Sequence, residues 1–284
     1  MATRVALPLV EPSNPLKLAL RRAIGQLACA LNPAAARVLA AGNGPDPLSD
    51  LDRLMLSALR QRAARNGSLE AFTASQQRSF WSSAAAADFH ATQEQYFEEW
   101  FLGHNLVLLT ELERALTGGE FRTLCEIGCG TGNALDYLRR RLTGVEQFIG
   151  IDLSPEQIRR NEARFAAPDL SWVADDALQW VVANARPGWV FLSNNGVLEY
   201  FTQAAVQQLF THIAARLGPA LISLCEPVGL DHDLERDVDS STYGTEHSFS
   251  HNYPHLLREA GFRLIYSSEL RRGQHRLLRV IART

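Results

Sequence analysis

Between residues 126 and 133 the chain reads Glu126-Ile127-Gly128-Cys129-Gly130-Thr131-Gly132-Asn133. A short apolar stretch, Phe121 to Cys125, leads into it, and a helical pattern, Ala134 to Leu142, leads out. Three alternating glycines let the backbone turn tightly and come close to a bulky ligand. The helix that follows aims free N–H groups at the same space. Glu126 sits just before the turn, which suits a ligand carrying a positive charge or hydroxyls and suits a pyrophosphate poorly.

From residue 121 onward the pattern alternates between strands (near 121–127, 147–152, 170–174, 189–193, 220–226, 262–268 and 275–282) and helices (near 133–142, 154–166, 177–184, 202–217 and 253–260). Ser154-Pro155-Glu156 and Thr202 are good helix starts. Such alternation predicts an α/β fold with a mostly parallel sheet covered on both faces. Ligands bind such sheets at the carboxyl ends of the strands, and the glycine loop lies at the end of the first. Residues 1–118 read as helices only. Asn14-Pro15 and Asn32-Pro33 start two of them, and Leu16, Leu20, Ile24, Leu27 and Leu31 mark one face of the first. Ser49 with Asp52 opens another, stopped at Asn66-Gly67. A longer aromatic helix runs from Phe89 to Leu112 and ends at Gly118-Gly119. The expected division is a helical cap or interaction region, 1–118, and an α/β domain, 119–284.

Composition narrows the function. A net charge of −3 leaves no basic footprint for nucleic acid. Cys125 and Cys129 have no second pair to complete a zinc site, and reduced thiols suit a cytoplasmic protein. No stretch is long and apolar enough to suggest a membrane span, and the N-terminus lacks a signal-peptide layout. Lys17 is the only lysine among many arginines, a bias that suggests a GC-rich bacterial source.

A dinucleotide-binding loop would want Gly-x-Gly-x-x-Gly. Here Asn133 holds the third position and the third glycine comes early, at Gly132. Glu-x-Gly-x-Gly-x-Gly resembles instead the cofactor loop of class I S-adenosylmethionine-dependent methyltransferases. Gly150-Ile151-Asp152-Leu153-Ser154-Pro155, ending the second strand, resembles the second motif of that family. Asp176-Ala177, after the third strand, matches its adenine-reading pair, with Asp175 where a glycine often stands. Trp189 to Tyr200 looks like its fourth-strand segment, whose end lies beside the reactive methyl group. The resemblance covers residues 121–284. It implies a Rossmann-like, seven-stranded, doubly wound sheet behind an all-helical N-terminal region. It also implies S-adenosyl-L-methionine as cofactor, held by Glu126, Gly128, Cys129, Gly130, Gly132, Asp152, Leu153, Asp176, Ala177 and Asn194.

The reaction expected from the resemblance is metal-independent methyl transfer to a small molecule, with a hydroxyl as acceptor. The fourth segment lacks the Asn-Pro-Pro-Tyr type motif of nucleic-acid methylation. It carries asparagines where a metal-dependent catechol type needs carboxylates. A hydroxyl nucleophile needs a base, and His251 or His247, in the histidine-rich stretch 245–255, is the candidate. Tyr96, Trp100, His104 and Tyr200 are candidate substrate contacts. The run Tyr96 to Phe101 reads either as a lid or as core packing. The helical region is a candidate homodimer surface. Two rival readings stand beside this one: a cofactor-binding interaction or regulatory module without methyl transfer, and a peptide or protein methyltransferase.

Overall fold

The computed structural model of the chain describes residues 14–45, 48–94, 97–244, 248–273 and 275–284. Contacts divide it into two compact units, residues 1–85 with 243–248, and residues 86–242 with 249–284.

The first unit contains helices α1 (Pro15–Leu31), α2 (Pro33–Ala40), α3 (Asp50–Arg65) and α4 (Leu69–Trp81). Their starts follow local chemistry. Asn14 accepts from Leu16 and Lys17 N–H, Asn32 accepts from Ala35, and Ser49 and Asp52 form a reciprocal capping box. The leucine face read from the sequence does not turn inward: Leu16, Leu20, Leu27 and Leu31 are exposed. The small side of α1 is buried instead. A methyl group on Gly25 would stand 2.0 Å from the Leu54 carbonyl oxygen, so only glycine permits the close approach of α1 to α3. Cys29, Ala36, Leu39, Met55, Leu56, Leu59, Ala63 and Phe72 form this unit's core.

The second unit is built on a seven-stranded sheet. In chain order its elements are α5 (Ala84–Gln93), a π-helical turn (Glu98–Leu102), α6 (Gly103–Ala115), β1 (Thr123–Ile127), α7 (Asn133–Arg141), β2 (Gln147–Asp152), α8 (Pro155–Arg164), β3 (Leu170–Ala174), α9 (Ala177–Asn184), β4 (Trp189–Asn194), a 3-10 turn (Leu198–Tyr200), α10 (Gln203–Arg216), β5 (Ala220–Pro227), short β6 (Ser241–Tyr243) and β7 (Ser248–Ser250), α11 (Tyr253–Glu259), β8 (Arg263–Arg272) and β9 (His275–Arg283). The strand order is β3-β2-β1-β4-β5-β9-β8, while β6 and β7 form a separate pair. β3 through β5 are parallel; β9 runs antiparallel between β5 and β8. The fold is therefore a mostly parallel, doubly wound sheet. Its order reverses between β1 and β4, the place where such sheets bind ligands.

Near-continuous apolar strands reflect burial on both faces. One face packs Ile127, Ile151, Phe191, Ile222 and Val280 against α9, α10 and α11. The other packs Leu124, Phe148, Val190, Leu192 and Ile281 against α6 and α7. One feature of this unit differs from the sequence reading, and for Phe97 and Phe101 the structure favours the core alternative. The aromatic helix is not continuous, because a π-helical turn separates α5 from α6. Its aromatic side is also core: Phe97 stacks on Phe101 with centroids 5.2 Å apart, both against Tyr137, and Phe101 is buried. These elements belong to the same compact unit as the sheet.

Candidate active site

The glycine loop is fastened to the tip of β2. Cys129 N–H donates to the Ile151 carbonyl and Gly130 N–H to Asp152 Oδ2, both at 2.9 Å. The Asn161 amide, on α8, donates to the Gly130 carbonyl at 2.8 Å. Gly128 takes φ +70°, and a methyl group there would stand 2.5 Å from Val197, so glycine is required for conformation and space together. This close approach joins the loop after β1 to the loop after β4.

Three carboxylates line the tips of β1, β2 and β3, and each meets a different environment. Glu126 is buried, and its Oε2 has no hydrogen-bond partner among the described residues. Burial, followed by the nearby Asp152 charge, pushes its carboxyl up to about 8. Asp152 Oδ1 accepts from Ser154 N–H while Oδ2 accepts from Gly130. Each of its oxygens retains acceptor capacity for a ligand hydroxyl. Asp176 caps α9 by accepting from Gln179 N–H at 3.1 Å, and Ala177 is buried behind it. Asp175, one residue earlier, is exposed and accepts from the Asp176 N–H. Leu153 is half-buried beside Asp152, and Gly132 starts α7 with φ +73°.

Two neighbours escaped the sequence reading. His90, on α5, lies against the glycine loop: a methyl group on Gly130 would stand 3.2 Å from its Cε1. Burial pulls its imidazole below the ordinary range, with Asp152 opposing and Arg160 adding to the shift. Arg160 of α8 holds α5 there, donating to the Ala87 carbonyl and to Asp88. Asn105, on α6, donates to Asn194 Oδ1 at 2.9 Å and so fixes the amide at the tip of β4.

A third residue missed in the sequence is Glu226, at the end of β5. It is fully buried. Oε1 accepts from Ser193 Oγ at 2.7 Å, and Oε2 accepts from the N–H groups of Val197 and Leu198 at 3.0 and 3.2 Å. One carboxyl thus anchors the segment after β4, where Asn195 and Gly196 both take positive φ. Burial raises Glu226 to about 8. A charged residue ending the apolar run Leu221 to Cys225 was the available signal.

His251, the candidate base, is not presented by the structure as an open imidazole. It is fully buried. Nδ1 accepts from Ser240 Oγ at 2.6 Å, and Nε2 donates to the carbonyls of Leu198 and Phe201, both at 3.1 Å. Burial lowers its imidazole to about 4. Every ring nitrogen is occupied, and the side chain braces the same segment that Glu226 holds. His251→Ala is expected to lower the unfolding free energy by about 2–3 kcal/mol and to leave cofactor affinity unchanged. A depressed histidine stabilises above its unfolded value, so wild-type stability should fall as pH drops from 6.5 toward 4. Denaturant titration across that window checks both; a His251 variant of full stability but no turnover would restore the catalytic role.

His247 and Tyr96 lie outside the described residues, as does the side chain of Trp100. His104 is buried on α6 next to Asn105, and Tyr200 is half-buried in the 3-10 turn after β4.

An S-adenosyl group fits the residues present. The orphaned, buried Glu126 oxygen calls for a cationic donor such as an α-ammonium. The glycine loop stands next to it, and the Asp152 oxygens at the tip of β2 keep acceptor capacity that ligand hydroxyls can use.

Comparison with known proteins bears on the domain and its fold. Residues 124–220 match the family described as methyltransferase domain. The chain is 32% identical over 142 residues to a trans-aconitate 2-methyltransferase of Escherichia coli, covering 48% of this chain and 49% of that protein. It is 34% identical over 112 residues to the protein of the same name from Afipia carboxidovorans, covering 37% and 41%. The chain spans about half the length of the curated relatives it matches. Its fold is similar to that of a S-adenosylmethionine-dependent methyltransferase of Leishmania major (TM-score 0.55, 12% identity, 74% of this chain and 83% of that one). It is also similar to magnesium protoporphyrin IX methyltransferase from Synechocystis (TM-score 0.50, 12% identity, 75% and 97%). Residues 124–220 thus match a methyltransferase domain, and the fold around them is similar to that of S-adenosylmethionine-dependent methyltransferases.

Proposed function

We propose that the protein transfers a methyl group from S-adenosyl-L-methionine to an oxygen of a small-molecule acceptor, without a metal. The observation that carries this reading is the buried, unpartnered Glu126 oxygen beside a glycine loop stapled to Asp152. When bound, the cofactor would supply an activated methyl carbon to an acceptor oxygen, the C–S electron pair would pass to the departing sulfur, and a hydroxyl acceptor would give its proton to solvent water.

In this reading Glu126 receives the cofactor's ammonium and the Gly128–Gly132 backbone passes beneath it. Asp152 takes the ribose hydroxyls beside Leu153, and Asp176 with Ala177 reads the adenine edge. Asn194, held by Asn105, lines the methyl end. Its amide positions an acceptor and takes no proton. His104 and Tyr200 stand on the acceptor side. Trans-aconitate, named for the two curated relatives, is the first acceptor to try. Four buried free thiols suit a reducing compartment such as the cytoplasm.

Calorimetry with S-adenosylmethionine and S-adenosylhomocysteine, with NAD as control, tests the cofactor. Transfer of labelled methyl to trans-aconitate and to hydroxylated metabolites tests the activity. Binding of NAD alone would end the reading. Glu126 adds a pH signature. Its carboxyl holds a proton up to about 8 in the free chain and must release it to pair with an ammonium. Affinity for S-adenosylhomocysteine should therefore rise with pH below that value, by up to roughly tenfold per unit, and level off above it. Equal affinity at pH 6 and 8 would remove the ammonium from Glu126.

A further inference from the structure

Asn194 pairs in register with Cys225, and Cys225 with Arg279, so the three side chains share one face of the sheet at its carboxyl edge. Two strand spacings, about 10 Å, separate the backbones at Arg279 and Asn194, with buried Cys225 between them. The amino-terminal end of α6 lies over this edge. There Asn105 donates to Asn194 Oδ1, and Arg279 Nη1 reaches the carbonyl of the adjacent His104 at a long 3.4 Å.

Arg279 is poorly supplied. It is half-buried, its Nε is shielded from solvent without a hydrogen-bond partner, and no carboxylate pairs with it among the described residues. Arg276, three residues earlier and on the opposite face, shows what this chain does with a structural arginine. It forms a two-point ion pair with Glu269 and donates to the carbonyls of Gly229 and His232. A partly desolvated guanidinium with one long bond is costly unless an anion completes it. The surroundings are positive. The Arg272 guanidinium lies near Gly103, and Arg272, His275 and Arg279 all add to the burial that lowers the His104 imidazole, with Glu99 alone opposing.

We infer that Arg279 anchors a carboxylate of the methyl acceptor, so that the acceptor is a small carboxylic acid held between this guanidinium and the Asn194–Asn105 amides. The inference rests on the methyltransferase reading and goes beyond it by naming the acceptor's chemical class and a residue that selects it. The planar guanidinium fork matches a carboxylate with two parallel hydrogen bonds.

The test is calorimetric titration of the protein loaded with S-adenosylhomocysteine. The probes are trans-aconitate, fumarate and benzoate, then fumaramide, benzamide and phenyl phosphate. At least one carboxylate should bind, with its amide counterpart at least ~10-fold weaker. Arg279→Ala and Arg279→Gln should each weaken that binding ~30-fold or more, with S-adenosylhomocysteine affinity unchanged, and Arg279→Lys should restore part of it. Carboxylate binding that survives both substitutions overturns the inference. So does preference for the amides or the phosphate, or a loaded protein that binds no carboxylate; each leaves the methyltransferase reading standing. A wild-type protein that fails to bind S-adenosylhomocysteine defeats that reading itself.

Discussion

Glu226→Ala is expected to lower the unfolding free energy by about 3–5 kcal/mol, a large share of the stability of an ordinary domain. The size follows from what remains. Ser193 Oγ and the N–H groups of Val197 and Leu198 lose their common acceptor at a position closed to water. Each orphaned buried group costs about 1–3 kcal/mol. Because burial raises Glu226 to about 8, the carboxyl carries its proton at neutral pH, and glutamine is close to that form in shape and charge. Glu226→Gln should therefore cost much less. The pH dependence has a definite sign. The unfolded chain ionises this carboxyl near 4.5 and the folded chain near 8, so folding retains a proton across that window. The stability contributed by Glu226 is full below 4.5 and declines as pH rises toward 8. Glu226→Gln should flatten this slope in denaturant titrations. An alanine variant as stable as wild type would mean the segment after β4 holds itself.

Asp152→Ala should weaken S-adenosylhomocysteine binding roughly 100-fold, about 3 kcal/mol, at the scale of losing charge-assisted hydrogen bonds. Two effects add. The carboxylate proposed to take the ribose hydroxyls is lost, and so is the acceptor that ties Gly130 to the tip of β2. The Ser154 N–H loses its partner too, but Ser154 still caps α8 through Gln157, so the helix should survive. Asp152→Asn keeps one acceptor without the charge and should fall between. Affinity within a factor of two of wild type for the alanine variant would take Asp152 out of the cofactor site.

The α/β half was legible because its punctuation is local. Pro155 after Ser154, Thr202 before α10, and the apolar runs of β1, β2, β4 and β5 state their elements within a few residues. The glycine loop and Asp152 were legible for the same reason, since a strand tip and the turn that follows it are contiguous in sequence. What escaped depends on partners far along the chain. Glu226 meets Ser193 from the neighbouring strand, 33 residues away, Asn105 meets Asn194 from a helix 89 residues away, and His90 reaches Gly130 from α5. His251 was ambiguous in the sequence because a histidine beside serines and a helix start looks the same whether it faces a pocket or lies buried. The Ser240 hydroxyl and the Leu198 and Phe201 carbonyls decide that, and none is near it in sequence. The leucine face of α1 misled in another way. Periodicity marks an apolar stripe, but Gly25 and its close approach to Leu54 decide which side packs against α3.

The most direct test of the central claim is a crystal structure of the protein with S-adenosylhomocysteine. The account predicts the amino group on Glu126, the ribose hydroxyls on Asp152 and the sulfur facing Asn194, with the Gly128–Gly132 backbone beneath. A ligand bound away from the tips of β1 and β2, or crystals in which Glu126 and Asp152 make no contact with it, would contradict the account.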